Sequence, residues 1–164
     1  MSTPAVLQLL DEAGARLAKL TIANGYTHDV GRVERARVSP YQPYDLPCAS
    51  YWPAFDAFKD RKYRVEQRTL DIRVELYAIT NDQPFTDIAM KLSYAAWTVL
   101  NRSTSAPLVT NDWSPNLGGL LTAFDLQQIT PLIGEGSPPW CGCLLNLAAT
   151  YKVDPYDHTI IVMS

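Results

Sequence analysis

Three features of the sequence predict an α+β fold, a mixed, largely antiparallel sheet of four to five strands with two helices packed on one face. Two segments carry apolar residues at three- and four-residue spacing, "RTLDIRVELYAIT" alternates strictly, and Pro- and Gly-rich stretches separate the periodic ones. The 164 residues suit a single domain over 1–164 with enough chain to bury a core. A hydrophobic content of 47% against 19% charged residues marks a globular chain.

The elements follow in order. Thr3 reads as an N-cap with Pro4 at the first helical position, where a missing N–H costs nothing. Leu7, Leu10, Ala13, Leu17 and Leu20 form an apolar stripe, and Asp11, Glu12, Arg16 and Lys19 lie mostly off it. Asn24-Gly25 is a hairpin signal only between two strands. With a helix of about 18 residues before it, Gly25 is expected instead as a left-handed helix stop. "GRVERARVS" and "LPCASYW" are short β-type segments joined by the irregular, proline-bearing "PYQPYD".

Residues 53–63 are mixed in pattern and expected as an exposed loop. In the next segment Leu70, Ile72, Val74 and Leu76 share one strand face and Asp71, Arg73 and Glu75 the other, which implies one buried and one wet or partner-facing surface. Val65 is out of phase, so a bulge is expected near Gln67. A second helix carries Ile88, Leu92, Ala95 or Ala96, and Val99. Long loops are expected at 103–123 and 134–143, around the strands "AFDLQQITPL" and "LLNLAATYKV". The tail, 154–164, is either loose or adds a late strand through "TIIVM".

The chemistry-bearing residues have blander readings. Cys141-Gly-Cys143 lacks the C-x₂₋₄-C spacing of zinc sites and the C-x-x-C of redox pairs, so with Cys48 these read as structural thiols. His28 follows a helix stop and His158 lies near the C-terminus, each suited to capping or the surface. No nucleophile elbow or phosphate loop is present, and no metal or cofactor is expected. A net charge of −3 gives no overall case for a nucleic-acid binder. No apolar run approaches the ~20 residues of a membrane span. The first twenty residues lack a basic n-region, so neither a signal peptide nor a lipid anchor is expected there.

Charge distribution is the most informative feature. From Arg32 to Arg73 nine Lys or Arg face six Asp or Glu, whereas from Ser103 onward Lys152 stands alone against five acidic residues. Such polarity suits a heterologous contact between a basic side of one subunit and an acidic side of the next. The candidate interface residues are Arg35, Arg37, Arg61, Lys62, Arg64 and Arg73 on the basic side. On the other side they are Asp112, Trp113, Glu135 and Trp140, the tryptophans expected in loops.

"TIANGYTHDVGRVERARV", the proline-bounded "DLPCASYW", "RTLDIRVELYAI", "DIAMKLSYAAWTVL" and the closing "ATYKVDPYD" together resemble the tail terminator (tail completion) proteins of long-tailed bacteriophages. The resemblance covers most of residues 5–157. It implies a non-enzymatic virion protein, assembled in the host cytoplasm. Copies would form a homo-oligomeric ring, commonly a hexamer, that caps the tail tube, ends its polymerisation and presents a surface for joining the head. The implied partners are the chain itself, the tail tube protein and a neck or head-completion protein, with DNA passing through unread and no membrane. A neck or head-closure adaptor is the nearest alternative, and a small hydrolase using Cys141 or Cys143 with His158 belongs to a different class.

Overall fold

A computed structural model describes residues 2–40, 42–80, 83–102, 113–134 and 139–163. The helices are α1 (Ala5–Leu17) and α2 (Phe85–Leu100). The strands are β1 (Arg32–Arg35), β2 (Cys48–Lys62), β3 (Val65–Ile79), β4 (Ala123–Gly134) and β5 (Trp140–Val153). They form a five-stranded mixed sheet in the order β1-β2-β3-β5-β4, with β1 parallel to β2 and the other pairs antiparallel. The α+β expectation holds.

The alternation in β3 is realised as read. Leu70, Ile72, Val74 and Leu76 are fully buried, opposite Leu145, Leu147 and Ala149 of β5 and Ala49 and Tyr51 of β2. Both helices cover this core face. Gly14 of α1 lies so close to Tyr51 that any Cβ there would overlap the phenol, and Trp97 of α2 packs on Phe124 at 5.3 Å between ring centroids. One core cluster runs through the sheet and both helices, each buried leucine contributing roughly 1.5–3 kcal/mol.

Details of α1 depart from the sequence reading. Pro4 is the N-cap residue, and the Ala5 N–H is satisfied by the carbonyl of His158 at 2.8 Å, so the C-terminal tail caps the helix in place of Thr3. The buried face runs through Ala5, Leu9, Leu10, Ala13, Arg16 and Leu17, leaving Leu7 39% exposed. Arg16, expected off the stripe, is 2% exposed. The helix ends at Leu17, and a 3₁₀ turn, Ile22–Asn24, follows; Gly25, at φ 87°, is left-handed as expected but closes that turn. In α2 it is Ala96 rather than Ala95 that reaches the core, with Ile88, Leu92 and Val99.

Residues 53–63 are not a loop: β2 runs on to Lys62 and pairs with β3 across a two-residue turn, Tyr63-Arg64. Its apolar pattern is scrambled because the register shifts twice, between Pro53 and Phe55 and between Phe58 and Asp60. The bulge expected near Gln67 therefore sits in the partner strand, opposite it. Likewise β5 starts at Trp140 and β4 reaches Gly134, so the expected loop 134–143 is shorter at both ends. Of 103–123, residues 103–112 lie outside the described residues; the rest includes a left-handed turn, Pro115–Gly119, with Leu117 and Leu121 buried. The tail docks: Ile161 bridges Val153, and the Val162 N–H donates to the Lys152 carbonyl at 2.9 Å.

Candidate assembly surface

Among the described residues no α-helix packs on the second face of the sheet. Alternation places Asp71, Arg73, Glu75 and Tyr77 of β3 there, with Trp52 and Phe55 of β2, Trp140, Leu144 and Asn146 of β5, and Asp125, Gln128 and Thr130 of β4. Tyr77 and Trp140 pack edge to face at 5.0 Å. Among its described residues the connector 36–47 approaches this face at β1 and the start of β2. There the Arg37 N–H reaches Ser50 Oγ at 3.4 Å, and Asp45 accepts from Arg37 at 3.1 Å, from the Gln42 N–H at 2.9 Å, and from Arg32.

Beyond Tyr51, β1 no longer flanks β2, because Ala36 takes a left-handed φ of 48° and turns the chain away. The β2–β3 hairpin thus continues as an arm with one open margin. Phe55, Phe58 and Tyr63 are exposed on it, Tyr63 completely, and Lys59, Arg61, Lys62 and Arg64 crowd its tip. Within the arm an ionic network replaces the apolar core. Glu66, nearly fully buried, accepts from Arg61 at 2.7 Å and from Arg68 at 2.6 Å. Arg68 also donates to Asp56 at 2.9 Å, and the Tyr151 hydroxyl donates to the same carboxylate at 3.1 Å. Arg61 first, then Arg68, hold the Glu66 carboxyl below the usual range. The Gln42 backbone N–H, with Arg32 and Arg37, does the same for Asp45.

The structure sorts the sequence candidates into two groups. Arg35 is tied to Asp11 and lies over Tyr51, Arg37 is 8% exposed within the Asp45 network, and Arg61 serves Glu66. These three serve ion pairs within the chain, Arg37 nearly buried and Arg35 and Arg61 still exposed. Lys62, Arg64 and Arg73 are exposed and make no ion pair with any described residue. Trp113 is exposed and bridges Arg102; Trp140 is half-buried in β5 rather than in a loop. Asp112 and Glu135 lie outside the described residues.

Sequence reading missed the roles of Glu66, Arg68, Asp56 and Tyr151. A signal existed for two of them: Glu66 and Arg68 share the parity of Leu70 to Leu76 and so point to the core face.

The remaining candidates offer little chemistry. Cys48, Cys141 and Cys143 are buried and unbridged. Burial pushes the Cys141 thiol up and the Cys143 thiol up to about 12, the opposite of what a nucleophile needs. His28 lines a cavity of about 190 Å³ with Pro47, Ala78, Ile79, Gln83 and Ile88, and burial, then Lys91, lower its pKa. Among the described residues no three His, Cys, Asp or Glu gather as metal ligands, and no helix is long and apolar enough to cross a membrane. Compared with models of protein families the chain matches none, and no curated protein matches it.

Proposed function

We propose that this chain is a structural virion protein of the tail terminator type, whose copies close into a ring that caps the tail tube and presents a head-joining surface. The sequence resemblance supplies the hexameric order and the partners, namely the tube protein and a neck or head-completion protein. The observation that supports assembly is the arm. Its aromatic and cationic side chains stay exposed in the single chain, Phe55 on one face of the arm, Phe58 on the other and Tyr63 at the turn. The sheet face on which no described α-helix packs is a second surface available to neighbours.

Light scattering and negative-stain microscopy of the purified chain test this directly, with tail-tube assembly reactions as the functional readout. Ring-sized particles, and tubes that stop growing when the chain is added, are the expected results. A monomer at every concentration that neither binds tube ends nor limits their length refutes the reading. Binding to a portal or head complex with no affinity for tubes favours a neck adaptor instead.

A further inference from the structure

The two margins of the sheet carry opposite charge at the same height. Lys62 pairs with Val65 across the arm's turn, and Glu66 in turn pairs with Val153 of β5, so the tip of the arm is level with the end of β5. Immediately after Val153 the chain forms a turn containing Asp154 and Asp157 and returns to bridge Val153 through Ile161, on the side away from β3. The arm therefore forms one margin at this level and the tail the other.

The tip, residues 59–64, holds Lys59, Arg61, Lys62 and Arg64 against Asp60 alone. The tail from Asp154 to Met163 holds Asp154 and Asp157 with no Lys or Arg. Both aspartates are fixed by the turn: Asp154 accepts the Tyr156 N–H at 2.8 Å, and Asp157 accepts the Thr159 hydroxyl at 2.6 Å. Each margin also exposes a tyrosine, Tyr63 and Tyr156. Within one chain β3 and β5 separate Lys59 and Lys62 on the β2 margin from the tail segment at Ile161, a span of three strand spacings or ~14 Å; Arg64, next to Val65 of β3, and Asp154, next to Val153 of β5, lie nearer each other.

We infer that the basic tip of the β2–β3 arm docks on the acidic C-terminal turn of a neighbouring copy, head to tail. The inference rests on the ring reading above. The contact is made by side chains: Pro53 and the two bulges blunt the open edge of β2 against strand pairing. Because donor and acceptor margins lie on opposite sides of one protomer, the contact is heterologous and repeats from copy to copy until it closes.

The test uses the full chain with Lys59→Cys and Ile160→Cys together, one on the β2 margin and one on the returning tail. A disulfide needs Cα atoms within about 7 Å, so the two margins of one chain cannot bridge. Mild oxidation is expected to give a covalent ladder on a non-reducing gel, up to ring size. Each single variant gives dimers at most. Lys62→Glu/Arg64→Glu and, separately, Asp157→Lys are expected to raise the concentration at which rings form about tenfold. Mixing the two is expected to restore it, because each reversed arm then meets a reversed tail. Thermal melting of each variant monitors its fold. Rings without a ladder, and unaffected by either reversal, overturn the docking contact and leave the ring reading standing. Neither rings nor a ladder, with the wild type also monomeric, overturns both. If arm reversal leaves rings intact but abolishes retention of a duplex DNA oligonucleotide, the arm is a nucleic-acid surface and the inference fails.

Discussion

Replacing Arg16 by Met should be among the most damaging single changes in this protein, although the residue is far from the proposed assembly surface. The guanidinium is 2% exposed and makes three short contacts: Glu12 Oε1 at 2.7 Å, the Leu100 carbonyl at 2.9 Å and the Ser114 carbonyl at 2.7 Å. It thereby caps the end of α2, fastens α1 to it and anchors the segment leading into the Pro115–Gly119 turn. Methionine fills similar volume but donates nothing. Two carbonyls lose their donor and Glu12 loses its counter-ion, and breaking a buried pair by removing one partner costs about 3–5 kcal/mol. We take about 4 kcal/mol, which for a chain of this size lowers Tm by about 12 °C at roughly 3 °C per kcal/mol. Arg16→Lys keeps the charge but not the planar fork, so about half the loss is expected. Glu12→Gln should cost less than about 1 kcal/mol, because that side chain is 28% exposed and partly solvated already. Urea unfolding followed by tryptophan fluorescence and circular dichroism measures all three. An Arg16→Met protein within about 1 kcal/mol of wild type would show that water satisfies these carbonyls, refuting the reasoning.

Three other outcomes follow from the same geometry. Arg37→Glu should lower Tm clearly, since it places a carboxylate beside Asp45, whereas Arg64→Glu should leave Tm within about 2 °C and act on assembly alone; equal melting of the two would contradict the division of the arginines into paired and exposed. For Glu66 and Asp45 the folded pKa lies below the unfolded one, so their stabilisation is complete above the ordinary carboxylate range and is lost as pH falls through the folded value. Urea midpoints from pH 6 down to pH 2 should therefore fall, and Glu66→Gln should flatten that acid limb; an unchanged limb sinks the assignment. Finally, a thiol reagent at pH 8 should label none of the three buried cysteines in the native protein and all three in urea, and fast native labelling would contradict their burial.

What the sequence determined alone was periodicity. The parity of Leu70 to Leu76 made β3 a half-buried strand, and the spacing of Ile88, Leu92, Ala95 or Ala96, and Val99 made α2 a helix with one apolar face, because these patterns are local consequences of strand and helix geometry. The left-handed Gly25 was legible for the same reason: its conformation belongs to the residue and the turn. The arm was not legible. Two register shifts break the parity of β2, and only pairing with β3 reveals residues 53–62 as a strand. Nor could composition separate Arg35, Arg37 and Arg61 from Lys62, Arg64 and Arg73. All six are cations in one basic stretch, and the difference lies in whether a carboxylate distant in sequence folds against them, as Asp11 does against Arg35. Arg16 makes the same point from inside the molecule. The sequence stripe put it mostly off the apolar face of α1, and its burial followed from the end of α2 arriving with a carbonyl that needed a donor. Local patterning decided the elements; long-range pairing decided which charges are tied into the fold and which stay without an ion pair to any described residue.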